Sequence, residues 1–160
     1  MMRKLWLLLV LALVIPASAW ARSADDIVSE FRDEKHAQYV NVGPGMLSLA
    51  RMFTLGIPGV NQGISAIRAL DLSDCSGGVR DKFRKRVKDL RNDYTYEEMV
   101  TSRKDDDQSL VLLHNDGQYV DELVILTVSD DDNAIVVIKG RISIEDVERI
   151  ANDDRYYPIR

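Results

Sequence analysis

Cys75 lies in the run Ser73-Asp74-Cys75-Ser76-Gly77-Gly78, just ahead of a segment with helical spacing. A thiol at a helix N-terminus has its thiolate stabilised by the dipole and the free N–H groups. His36 and His114 are the only histidines, and either would serve as a base if the fold brought it close. No flanking signature supports a nucleophile, so a small buried or idle cysteine in a Gly-rich turn is the ordinary reading. A small enzyme using Cys75 is therefore the alternative, not the expectation. Gly77-Gly78 would suit an anion at a helix start, but paired glycines more often mark only a tight turn.

The acidic clusters Asp105-Asp106-Asp107 and Asp130-Asp131-Asp132 invite a calcium reading. The loop grammar fails: counting from Asp130, Ile135 stands where glycine is needed and Arg141 where a bidentate glutamate is needed. Solvated turns between strands are the better account. Two histidines and one cysteine do not make a zinc site by their spacing. No Gly-x-Ser-x-Gly elbow is present. No metal and no cofactor is expected.

The most distinctive polar feature is a basic helix face, Arg84, Lys85, Lys88 and Arg91, turned away from the apolar stripe Val79, Phe83, Val87 and Leu90. Such a face could dock on anionic headgroups or an acidic partner. An ordinary solvated face complementing the acidic loops is the favoured reading.

The elements that would position these residues follow from pattern. Ser23-Ala24-Asp25-Asp26 starts a helix with a serine cap and early acidic residues, running to about His36. Gly43-Pro44-Gly45 breaks the chain, and Met46, Leu49, Ala50 and Phe53 suggest a second short helix. From Ile64 to Leu72 the period becomes two, with Arg68 interrupting the apolar side. The basic helix ends at Asn92-Asp93. Strands are expected over Tyr94–Ser102, Ser109–His114, Tyr119–Ser129 and Ala134–Lys139. Asn115-Asp116-Gly117 signals a hairpin, since Asp-Gly suits the backbone angles such turns need. Ser143 caps a final helix whose Val147 and Ile150 face inward.

The expected fold is therefore α+β, a single domain with an antiparallel-rich sheet of four to five strands packed by helices. Leu110-Val111-Leu112-Leu113, Leu123-Val124-Ile125-Leu126 and Ile135-Val136-Val137-Ile138 are apolar on both faces. A sheet with one wet face would alternate instead, so both faces should be covered. The basic and last helices are expected on one face, and the N-terminal helices or a partner subunit on the other.

The run from Phe83 through Ile150 resembles a known family. The resemblance rests on Tyr96-Glu97-Glu98-Met99, on Leu123-Val124-Ile125-Leu126-Thr127-Val128 and on Ile135-Val136-Val137-Ile138-Lys139-Gly140-Arg141-Ile142 with the helix after it. It is to the exported bacterial proteins grouped as the domain-of-unknown-function 4252 family. It implies an exported α+β domain and carries no reaction, substrate or catalytic residue.

Residues 1–21 read as a secretory signal peptide: Arg3 and Lys4, the apolar run Leu5 to Ile15, then Pro16 and small residues ending at Ala21. The run is short for a membrane span, which needs about 20 apolar residues. The remaining segment, 22–160, is expected to hold N-terminal helices over 22–55, sheet and helices over 64–152, and a short tail. Without Arg3 and Lys4 it carries 19 basic and 26 acidic residues, a formal charge of −7. An acidic exported chain is a poor nucleic-acid binder. Its lone cysteine excludes an internal disulfide. The expected product is a periplasmic or secreted, non-enzymatic binding or interaction module of the cell envelope. Its partner would be an envelope protein or an anionic surface, and a homodimer pairing sheet faces is a further alternative.

Overall fold

Ser23 opens the first helix because its hydroxyl accepts the Asp26 N–H while the Asp26 carboxylate accepts the Ser23 N–H. This reciprocal capping satisfies two donors that a helix start otherwise leaves free. The computed structural model describes residues 23–47, 63–104 and 107–151. The expected signal segment, the Leu49-to-Phe53 part of the second helix and the tail beyond 151 lie outside them. Helix α1 (Ala24–Phe31) is followed by β1 (Gln38–Val42) and β2 (Ile64–Asp71). Helix α2 (Gly77–Arg91) leads to β3 (Glu97–Lys104), β4 (Asp107–Asn115), β5 (Val120–Val128) and β6 (Asn133–Ile142), and α3 (Ile144–Ala151) comes last.

The strands form one antiparallel sheet in the order β1-β2-β6-β5-β4-β3. The architecture is α+β, as expected, but the described residues hold six strands rather than four to five. The added strand is β1, a sheet edge with only five residues and an exposed Val40. Its place was expected to be helix end and loop. The helix instead stops at Phe31, and His36 takes a positive φ of 71°, which turns the chain into β1. Histidine is among the few side chains that tolerate that region.

Strand register sorts the apolar runs onto two faces. Leu110, Leu112, Val124, Leu126, Ile135 and Val137 pack with Ile27, Val28 and Phe31 of α1 and Phe83, Val87 and Leu90 of α2. Val111, Leu123, Ile125 and Ile138 pack on the opposite face with Ile142, Leu47 and Val147 of α3. Both faces are covered, with a different division of helices from the one expected. The basic helix shares its face with α1, and the last helix shares the other with the helical turn at Pro44–Leu47.

Glu30 ties α1 to α2. Its carboxylate meets Arg86 Nε at 2.8 Å and Lys82 Nζ at 3.0 Å. Burial alone would raise this carboxyl; Arg86 and Lys82 outweigh burial and hold it below its ordinary 4.5. A carboxyl lowered on folding stabilises above its unfolded value, and that contribution fades as pH falls through the folded one. Glu30→Gln should therefore cost about 1 kcal/mol at neutral pH, given partly exposed partners. In urea titrations the gap between parent and variant should close in acid below the ordinary value of 4.5. A gap that stays constant into that range would remove the ion pair as its cause.

Candidate functional site

The apolar rows on the α1–α2 face end in polar residues. His114 of β4 pairs across the sheet with Glu122 of β5, which pairs with Lys139 of β6. Three strands thus set an imidazole, a carboxylate and an ammonium in one row, continuous with Leu112, Val124 and Val137. Asp25, in the first turn of α1, closes over that row. It accepts from Lys139 Nζ and, at 2.7 Å, from Arg68 of β2. Tyr96, just before β3, donates its O–H to Glu122 at 2.6 Å and accepts the Ala24 N–H at 3.2 Å. Glu122 Oε2 also lies 3.4 Å from Lys139 Nζ. Asp121, beside Glu122, meets His114 Nδ1 at 2.7 Å. The Tyr96 and His114 rings stand edge to face at 5.9 Å.

Tyr96, His114, Asp121, Glu122 and Lys139 line a cleft of about 350 Å³, together with Ser23, Asp93 and Thr95. Glu122 is only 9% exposed at its floor. Burial, reinforced by Glu122, pushes the Tyr96 hydroxyl far above its ordinary range. Burial pulls the Lys139 ammonium down, but Asp25 and Glu122 outweigh it and raise it. Tyrosine and lysine therefore keep their protons across the neutral range. The cleft is a set of fixed charges and hydrogen-bonding groups, suited to holding a ligand rather than to moving protons between these two side chains.

Cys75 is placed elsewhere. It is 5% exposed and packs in the core with Leu72 and Phe83. Burial, then the charges of Glu34, Asp71 and Asp74, push its thiol up, against the opposite pull of Arg80. That environment disfavours the thiolate a nucleophile requires. No hydrogen bond joins Cys75 to His36 or His114 among the described residues. His36 is an exposed turn residue and His114 belongs to the cleft.

The four basic residues of α2 separate into two pairs. Arg84 is drawn back to Asp81, to Asp130 at 2.9 Å and to the Ser129 carbonyl at 3.0 Å. Arg91 holds Glu98 through two bonds of 2.7 and 3.1 Å. Lys85 and Lys88 are exposed and make no ion pair among the described residues. Asp130, Asp131 and Asp132 form the β5–β6 turn, where Ser129 Oγ accepts two of their backbone N–H groups. Among the described residues no three or more His, Cys, Asp or Glu side chains gather where a metal ion would sit.

Sequence pattern flagged Arg68 as an interruption and quoted Tyr96 and Lys139 only as family signature. It missed Asp25, Asp121 and Glu122 as site residues. The available signal was Glu122 itself, an acidic residue opening an apolar run on a strand whose two faces are both covered.

No curated protein and no solved structure matches the chain. Residues 31–150 match the family described as domain of unknown function (DUF4252). That span runs from the last residue of α1 through the sheet into α3, and takes in every cleft residue except Ser23 and the Asp25 that closes it. Since it covers well over half of the sequence, the chain belongs to the DUF4252 family.

Proposed function

We propose that this chain is an exported, non-enzymatic binding module of the cell envelope, and that it takes a small ligand in the cleft over Glu122. The leader-like residues 1–21 support export to a periplasmic or extracellular space. The observation that carries the binding reading is the His114–Glu122–Lys139 row itself. Buried charged groups are commonly no better for stability than apolar residues of the same volume. Here Glu122 is buried between half-buried His114 and Lys139 at the end of the apolar rows, where the sheet opens into a cleft. Convergent polar groups in a concave site are the usual mark of ligand recognition. The test is an amide NMR spectrum of the purified mature chain with a small-molecule extract of cell envelopes. Shifts should concentrate at Tyr96, His114, Asp121 and Glu122. An unchanged spectrum, or shifts confined to α2, would overturn the cleft reading.

A second reading rests on Lys85 and Lys88, the half of the basic face that makes no ion pair among the described residues. These two would dock α2 on an anionic lipid surface. Lys85→Ala with Lys88→Ala should weaken binding to phosphatidylserine vesicles while leaving stability within about 0.5 kcal/mol. Replacing Arg84 and Arg91 should instead lower stability, since Arg84 holds the β5–β6 turn and Arg91 holds Glu98 of β3 to the helix. Parent protein that ignores the vesicles would dispose of this reading.

A further inference from the structure

We infer that the cleft takes a small organic cation, a protonated amine; this rests on reading the cleft as a ligand site. The balance of groups supports it. Asp93, Asp121 and Glu122 bring three carboxylates to the lining, against one fixed positive charge at Lys139. Lys139 is already committed to Asp25 and Glu122. The Tyr96 O–H is spent on Glu122. The two donors that face Glu122, from Tyr96 and Lys139, are therefore already taken, while carboxylate oxygens of the lining are left over.

Two carboxylate oxygens remain without a hydrogen-bond partner among the described residues, and one tautomer of His114 adds a third acceptor. Asp121 uses Oδ1 for His114 and leaves Oδ2; Asp93 uses Oδ1 for the Thr95 N–H and leaves Oδ2. When His114 donates from Nδ1 to Asp121, its Nε2 becomes an acceptor. An ammonium offers three donors to such a set. The edge-to-face Tyr96 and His114 rings add an aromatic wall of the kind cations favour. An anion would meet these carboxylates without an uncommitted cation to receive it. The carboxylates do not gather to one point, as a calcium or magnesium ion would require. A cation carried on a small organic frame fits that spread, and about 350 Å³ limits it to small-molecule size.

The experiment titrates the full mature chain with putrescine, with butanediol as its uncharged counterpart and succinate as its dianionic one. Amide NMR at about 0.15 M salt screens non-specific attraction. Putrescine should shift Tyr96, His114 and Asp121. Asp121→Asn, at an exposed position, should weaken it roughly tenfold. Butanediol binding as well as putrescine, or succinate binding better, would overturn the amine assignment and leave the cleft as a ligand site. Putrescine shifts spread equally over the Asp130–Asp132 turn, and indifferent to Asp121→Asn, would reduce the effect to net charge and overturn the assignment. Should none of the three bind, the amine assignment falls. The cleft itself falls only if the envelope extract also leaves these residues unmoved.

Discussion

Phe83→Ala should cost about 3–5 kcal/mol, the range for deleting a fully buried aromatic side chain. Phe83 is completely inaccessible on α2 and meets Phe31 of α1 edge to face, with centroids 5.7 Å apart. Edge-to-face pairs contribute beyond their buried area, by about 0.5–1.5 kcal/mol. Removing the ring would leave Phe31, Val87 and Leu90 around a void that the sheet below cannot close. The lysine of Lys82, 5.5 Å above the Phe31 ring, would lose part of its support as well. A loss of that size is a large share of the roughly 5–15 kcal/mol that holds a domain together. Urea unfolding followed by circular dichroism should show a much lower midpoint with little change in slope, because the surface exposed on unfolding stays similar. Phe83→Leu should recover part of it, since leucine refills much of the void but not the edge-to-face contact with Phe31. A midpoint barely changed in Phe83→Ala would mean that α2 is not packed on the sheet as described.

The same residues show what sequence pattern reveals and where it stops. Phe83, Val87 and Leu90 repeat at helical spacing, so both the helix and its buried stripe are legible without coordinates. Leu123 to Leu126 is apolar at every position, and from that the cover on both faces follows. Which helix lies on which face does not follow. Strand alternation fixes where each side chain points, but only the packed chain decides that α1 shares α2's side. β1 was hidden because an edge strand with no buried residue has little apolar pattern to read. The cleft was hidden for a related reason. Lys139 and Asp25 are 114 residues apart, and Tyr96 and Glu122 are 26 apart. Each reads alone as an ordinary solvated residue. They become a site only when the β4–β5–β6 register aligns His114, Glu122 and Lys139 in one row. The Cys75 loop drew attention because a cysteine just ahead of a helix start can be read locally; its burial comes from α2 and the sheet, which are not local.

Gly140→Val should cost more than about 3 kcal/mol, above the usual range for overpacking, because the obstruction is backbone rather than a side chain. Gly63 and Gly140 face each other where β2 enters the sheet beside β6. The Arg141 N–H donates to the Gly63 carbonyl at 2.8 Å. A Cβ on Gly140 would fall on that carbonyl, and a Cβ on Gly63 on the Arg141 carbonyl. Neither obstacle can rotate aside. The strands would have to part, at a point where the register already slips between Ile64 and Ala66. Ile64 and Ile142 would lose burial on the α3 face. Lys139, next in the chain, would move from Asp25 and Glu122 on the other face. One substitution should therefore lower the unfolding midpoint and disturb the Tyr96 and His114 amide signals together. Gly77→Ala gives the opposite sign. Its Cβ meets nothing within 4 Å at the start of α2, so reduced freedom in the unfolded chain should stabilise by about 0.4–1 kcal/mol. Equal effects from the two substitutions would show that the close approach of β2 to β6 is not what requires glycine at 140.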